Sequence, residues 1–268
     1  MGETDTGLKR PFEDLLVEAG NHPTAGWDFS WLGKRLETEP LPWDFRRIVE
    51  KHAGGAQSML DMGTGGGEWL ASLPYRPTRT VATEAWGPNV PVAEARLRPL
   101  GVEVVKVEPA PDNVLQERHE HRGRLPFADG SFELVINRHS SFVAEGVARV
   151  LAKEGQFVTQ QVGDGLHRKF RELFRSAPPD RQPWRLATAT EQVERAGLTV
   201  TDSAEGQETI SFSDVGALAW YLRMVPWSVP NFSIANFRDR LRELHTRIEE
   251  EGPLSVPLPG FYLVAMKR

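Results

Sequence analysis

The stretch that most constrains this chain is Ser58 to Leu70, SMLDMGTGGGEWL. A short apolar run reaches Asp61, and glycines at 63, 65, 66 and 67 then open into a helix-like pattern. Glycine has no Cβ, so a strand that ends in such a loop brings bare backbone amides close to a ligand at a helix N-terminus. This is the start of a nucleotide-type cofactor site.

Downstream the pattern repeats. Strand-like periods at 58–62, 79–84, 102–107, 133–137 and 156–162 alternate with helix-like periods at 67–73, 89–100 and 141–153, as a parallel sheet with crossover helices requires. In the last of these helices Val143, Val147, Val150 and Leu151 share a face, and Ser140 or Ser141 can cap its start. Beyond Gly163, Thr188 and Glu191 form a capping box for a helix through Ala196, and LTVTDSAE reads as a sixth strand. Phe261 to Met266, FYLVAM, reads as a terminal strand.

The glycine loop discriminates between cofactors. A dinucleotide fingerprint needs a third glycine three residues after the second, and Glu68 stands there. A pyrophosphate would sit poorly beside that carboxylate. S-adenosylmethionine (SAM) has no phosphate and carries a sulfonium and an ammonium group, so Asp61 and Glu68 suit it electrostatically.

Three further blocks follow in order. RTVATEA, Arg79 to Ala85, ends near Glu84, where a carboxylate can accept hydrogen bonds from two ribose hydroxyls. LPFADGSFELVINRH covers Leu125 to His139, and VARVLAKEGQFVTQQVG covers Val147 to Gly163. From about Ala56 to Gly163 the chain resembles the class I SAM-dependent methyltransferases, in particular the small-molecule group with an LPF.D.SFD.V block. The resemblance implies an α/β, Rossmann-like fold with a seven-stranded, mostly parallel sheet, an antiparallel last strand between the fifth and sixth, and helices on both faces. It implies SAM as cofactor and S-adenosylhomocysteine as product. Asp61, Gly63, Thr64 and Gly65 would surround the methionine part, and Glu84 would bind the ribose. Glu108 falls in the place of the adenine-side acid, with Asp112 and Asn113 as competitors. Asn137 joins the cofactor-binding set; it matches only the first position of the Asn/Asp-Pro-Pro-aromatic motif, so methylation of nucleobase amines gains no support. AKEGQF departs from the usual Pro-Gly-Gly turn, with Gly155 keeping a position able to adopt the left-handed conformation.

Ligands of an open parallel sheet bind outside the carboxyl ends of its strands. Besides the loop and Glu84, that edge holds Asn137 to His139 and Gln160 to Gly163. Methyl transfer from a sulfonium is an in-line displacement, so alignment and exclusion of water matter most and a dedicated base is optional. His139 is the candidate catalytic base for an acceptor that must lose a proton. The alternative is structural, with Arg138 and His139 bonding loop carbonyls or fixing the N-terminal region. Gln160 and Gln161 either bind a polar substrate or satisfy strand-end groups. No His/Asp/Glu spacing suggests a metal, and no nucleophilic serine elbow occurs.

The 268 residues, 40% hydrophobic, suffice for one α/β domain with additions. We expect an N-terminal helical and aromatic lid segment over 1–55, a SAM-binding core over 56–211, a helical insertion over 212–258 as candidate substrate cap, and a last core strand over 259–268. In the N-terminal segment Phe12, Leu15, Leu16 and Ala19 recur at helical spacing. Trp27, Phe29, Trp31, Trp43 and Phe45 follow, serving either as a lid or as core packing. The insertion carries one helix with Val215, Leu218 and Leu222 and another with Phe237, Leu241, Leu244 and Ile248; the link between them is a shaped loop or a hydrophobic elbow. The net charge of -5 gives no reason to expect a nucleic-acid partner, and Arg118 to Arg124 reads as a solvated loop. With no cysteine, no membrane-length apolar run and no signal peptide, a cytoplasmic protein acting on a small molecule, without a membrane partner, is expected. The myristoylation pattern at Gly2 is a chance match beside Glu3 and Asp5. Competing functions are a non-catalytic SAM-binding protein, a nicotinamide-dependent oxidoreductase, and RNA or protein methylation.

Overall fold

The computed structural model describes residues 10–24, 28–114, 124–178 and 183–268. Its elements, in chain order, are α1 (Phe12–Asn21), β1 (Leu36–Glu39), α2 (Phe45–Ala53), β2 (Ser58–Met62), α3 (Glu68–Ala71), β3 (Arg79–Glu84), α4 (Val90–Leu97), β4 (Glu103–Lys106), β5 (Phe132–Arg138) and α5 (Ala144–Val150). There follow β6 (Leu151–Val162), α6 (Gly165–Leu173), α7 (Leu186–Arg195), β7 (Leu198–Phe212), α8 (Val215–Met224), α9 (Arg238–Glu251) and β8 (Leu254–Lys267). The strand order is β1-β7-β8-β6-β5-β2-β3-β4. This is an α/β, Rossmann-like sheet, with eight strands where seven were expected. The additional strand is β1.

The chain forms two compact units. The larger comprises Pro40–Leu166, Pro179–Glu208 and Leu258–Arg268. Within it β2 pairs in parallel with β3 and β5, β3 with β4, and β5 with β6, while β8 runs antiparallel to β6 from Gln156↔Met266 to Val162↔Gly260. All five residues of β2 are buried, as expected for a parallel strand covered on both faces. Side chains alternate across the sheet. Leu60, Val135 and Phe157 meet Val147, Ala189 and Val193 from α5 and α7. On the other face Met59, Leu134, Ile136 and Val158 meet Val49 and Ala53 from α2 and Ala93 and Leu97 from α4.

Several boundaries differ from expectation. The cap of α5 is Val143, with no side-chain hydrogen bond; neither Ser140 nor Ser141 serves. The capping box at Thr188 does not form either. Arg185 caps α7, and the Thr188 hydroxyl donates to Pro183 O at 3.1 Å. Strand β6 begins at Leu151, five residues early, because Leu151 pairs with Phe132 across an irregularity in the ladder. Glu154, not Gly155, takes the left-handed conformation (φ 63°). Gly155 serves close approach instead, since a Cβ there would lie 2.8 Å from Ala152 O.

The smaller unit comprises 1–39, 167–178 and 209–257. Phe12, Leu15, Leu16 and Ala19 are buried along α1, and every residue of α8 except Arg223 is buried. In α9, Leu241, Leu244 and Ile248 form the inner face. Strand β1 pairs antiparallel with the distal end of β7, Leu36↔Phe212 to Glu39↔Thr209. Arg35 grips Asp214 with two bonds of 2.7 and 2.8 Å, and the same carboxylate caps α8 by accepting from Ala217 N–H at 2.9 Å.

The early aromatics pack within their own units. Trp31 stacks on His22 and lies 5.0 Å from Trp220, and Phe29 lies 5.5 Å from Tyr221. In the larger unit, Phe45 lies 5.6 Å from Trp69 and Trp43 lies 5.2 Å from Tyr262. Trp27, Gly2 and most of the Arg118 to Arg124 segment lie outside the described residues. In the link between α8 and α9, Phe232 stacks on Phe237 while Trp227 stays exposed. Among the described residues no helix is long and apolar enough to cross a membrane.

Candidate functional site

The carboxyl ends of β2 and β3 build the first half of the site. The N–H groups of Gly63 and Thr64 both donate to Thr83 O, at 3.0 and 2.9 Å, which turns the chain sharply off β2. Gly63, Gly65 and Gly67 have φ of 71°, 64° and 80°, a region that favours glycine. A Cβ on Gly63 would also lie 2.5 Å from Ser140, so the loop touches the end of β5 there. The Glu84 carboxylate holds the loop from the side. One oxygen accepts from Gly65 N–H at 2.6 Å and the other from Trp86 N–H at 2.7 Å.

Asp61 lies beneath this loop, 4% exposed. Burial raises its pKa to about 6; the nearby Thr64 hydroxyl and the Arg138 guanidinium oppose that rise, and the Glu84 carboxylate adds to it. The Thr64 hydroxyl is close enough to act on Asp61, yet it is a buried oxygen without a formed hydrogen bond. Glu68 departs from the sequence reading. Arg96, 28 residues away, pairs with its carboxylate and also bonds Gly66 O. Its charge is therefore largely balanced, and the local negative potential falls to Asp61 and Glu84.

The ends of β5 and β6 build the second half. Asn137 is fully buried: its Oδ1 accepts from Thr159 Oγ1 at 3.0 Å and from Gln161 Nε2 at 2.6 Å, and its Nδ2 donates to Met62 O at 3.4 Å. Gln161 Nε2 also donates to Ser140 O at 3.2 Å. The side chain expected among the cofactor ligands is thus engaged within the sheet. Next to it Arg138 lies over the Trp69 ring at 5.8 Å and faces Glu208 and Asp61 electrostatically.

His139 has a left-handed backbone (φ 63°), and its N–H donates to Gln160 O at 2.8 Å. Its ring Nε2 lies 3.0 Å from Gln160 Nε2, and Gln160 Oε1 accepts from Trp43 Nε1–H at 2.9 Å. His139 as a whole residue is exposed at this edge. Desolvation first and the Arg138 cation second hold the imidazole below the ordinary histidine range, so the neutral form prevails at pH 7.

Asp61, Gly63, Thr64, Gly65 and Glu84 therefore converge at one strand edge, with Asn137 and His139 at its neighbour. Glu108 is exposed on the loop leaving β4, which Val107 N–H ties to Glu84 O at 3.1 Å. Of its competitors, Asp112 accepts from Val114 N–H within its own turn, and Asn113 Oδ1 accepts from Phe142 N–H at 2.9 Å. Arg96 and Glu208 were not singled out from sequence, and Trp43 was read there only as a lid or packing aromatic. Arg138 was read as a structural partner beside His139; the other three act across long separations that no local pattern reveals.

Residues 60–159 match the family described as Methyltransferase domain. The structure superposes on a candidate methyltransferase from Bacillus halodurans C-125 with a TM-score of 0.58 at 20% identity, covering 84% of this chain and 98% of that one. The fold is the class I methyltransferase fold. The YcgJ protein of Bacillus subtilis gives a TM-score of 0.56 at 18% identity, with the same coverage of 84% and 98%. A protein of unknown function from Deinococcus radiodurans R1 gives 0.55 at 11%, covering 90% and 97%. No curated protein matches the sequence.

Proposed function

We propose that this chain is a SAM-dependent methyltransferase that transfers a methyl group to a small-molecule acceptor by in-line displacement. The observation that carries the reading is the loop from Gly63 to Gly67, with two buried carboxylates behind it and no phosphate-type glycine at position 68. The residues present fit the donor. The Thr64 hydroxyl without a formed hydrogen bond and the buried Asp61 carboxylate are the polar groups an ammonium-bearing ligand would engage, and Glu84 retains lone pairs for ribose hydroxyls beyond the two it uses on backbone amides. Glu108 is the proposed adenine-side acid, with the loop carrying it tied to Glu84 O. When bound, the donor supplies an electrophilic methyl group on sulfur. The protein's own part is to hold that group against the edge formed by β5 and β6 and to keep water from it.

Isothermal titration of the full chain with SAM, S-adenosylhomocysteine and NAD tests the reading. Binding of the first two and no heat with NAD is expected; NAD binding with no response to SAM would overturn it. Glu84→Ala is a poor probe by itself, because it also releases two backbone amides. Glu84→Gln keeps a carbonyl acceptor for one of them, and a loss of roughly 1–3 kcal/mol in SAM affinity is expected.

A further inference from the structure

The contacts around His139 decide what its ring can do. Trp43 Nε1–H is a donor only, so the atom of Gln160 that faces it at 2.9 Å is the amide oxygen. That fixes the other end of the same amide: Gln160 Nε2, a donor only, faces His139 Nε2 at 3.0 Å. His139 Nε2 must therefore accept, and in the neutral ring the proton sits on Nδ1. Gln160 is buried, and its backbone carbonyl also accepts from His139 N–H at 2.8 Å, so one residue holds both the backbone and the ring. The ring contact among the described residues is at Nε2, none is at Nδ1, and His139 is an exposed residue.

We infer that Gln160, oriented by Trp43, locks His139 as the Nδ1–H tautomer, so that this ring offers the methyl acceptor a hydrogen-bond donor rather than a base. The inference rests on the methyltransferase reading and narrows it. The acceptor class is one whose attacking atom needs no proton removed by His139, such as a carboxylate or another oxygen anion. Its lone pair forms the new bond to the methyl carbon, the carbon–sulfur bond breaks onto sulfur, and the anionic and cationic charges cancel with no proton released. Arg138 is the charged group that acts on the ring, lowering its proton affinity in the same sense; Asp61 and Glu208 act on Arg138 in turn. Trp43 and Gln160 are positioning residues in this scheme.

The test is a long-range proton–nitrogen correlation spectrum of the whole protein labelled with 15N-histidine, recorded without ligand from about pH 5 to about pH 9, with His139→Gln to assign the signal. In the unaltered chain we expect Nδ1 protonated, Nε2 unprotonated, and no titration of His139 across that range. Gln160→Glu replaces the donor with an acceptor, and we expect the proton to move to Nε2 and the ring to titrate at higher pH, an effect that a purely structural role for Gln160 would not produce. A protonated Nε2 in the unaltered chain, or titration in the ordinary histidine range, overturns the inference, and that spectrum decides it even if the Gln160→Glu chain does not fold. Because the readout needs no donor, its failure is distinct from a failure of SAM to bind.

Discussion

The two halves of the site handle buried polarity in opposite ways. At the ends of β5 and β6, Asn137, Thr159 and Gln161 exchange side-chain hydrogen bonds of 2.6 to 3.0 Å among themselves. At the ends of β2 and β3, one carboxylate holds the loop, while the other, Asp61, is buried at a raised pKa, and the Thr64 hydroxyl beside it has no formed hydrogen bond among the described residues. Buried polar groups are normally satisfied, and an unsatisfied one costs about 1–3 kcal/mol. The Asn137, Thr159 and Gln161 trio is therefore scaffold. On the proposed reading, the Thr64 hydroxyl carries that cost until a ligand arrives to bond it.

The largest test of this contrast removes the hub of the saturated half. Asn137→Leu takes away the acceptor shared by Thr159 and Gln161, and we expect a loss of about 2–4 kcal/mol in stability, measured by urea unfolding. A loss below about 0.5 kcal/mol would show that the network is loose and that the two halves do not differ.

Asp61→Asn should act in the opposite direction. With its pKa near 6 in the fold and near 3.8 unfolded, the folded chain holds the proton more tightly, so stability falls as pH rises between about 4 and 6 and stays lowered above. The total is about 3 kcal/mol at the 1.36 kcal/mol per pKa unit that linkage gives. Replacing the carboxylate with a neutral amide should recover about 1–2 kcal/mol of stability at pH 7, little below pH 4, and weaken a cationic donor. In the unaltered chain donor binding should strengthen as pH rises through about 6, and that dependence should vanish in Asp61→Asn. Calorimetry at several pH values reads both, and a variant less stable at pH 7 would sink the account.

These effects bear on what the sequence disclosed. Strands β2 and β3 were located to the residue, because an apolar run closed by an acid and a glycine loop has few other readings, and the glycines, Asp61 and Glu84 came with them. Interactions with partners remote in sequence were not legible. Arg96 cancels Glu68 from 28 residues away and Trp43 orients Gln160 from 117. Local chemistry also misled where tertiary bonds competed: the Thr188 hydroxyl went to Pro183 O, and the turn strain fell on Glu154 rather than Gly155. Strand β1 was missed because LETE carries one partly buried position and no apolar alternation.

Gly63→Ala probes the seam where the halves meet. It forces a Cβ into a backbone with φ of 71° and to within 2.5 Å of Ser140, whose Cβ cannot swing aside as a flexible chain end would. We expect about 1–3 kcal/mol of destabilisation together with weaker donor binding. Unchanged stability would mean that the close approach between the loop and the end of β5 is not maintained in solution.

The smallest effect is the sharpest discriminator, because it separates a cost carried by the empty loop from one relieved by a ligand. In Thr64→Val the unpartnered hydroxyl gives way to a methyl group of similar size. Were that hydroxyl already bonded in the ligand-free fold, its removal would cost the usual 0.5–1.5 kcal/mol. Since it has no formed hydrogen bond, we expect stability within about 0.5 kcal/mol of the unaltered chain below about pH 4, where Asp61 is protonated in both states; at pH 7 Asp61, pushed further up as an opposing group disappears, adds its own loss. Donor affinity should fall by about 1 kcal/mol, the worth of one hydrogen bond made only in the complex. A stability loss below about pH 4 with unchanged affinity would reverse the assignment and make Thr64 part of the scaffold.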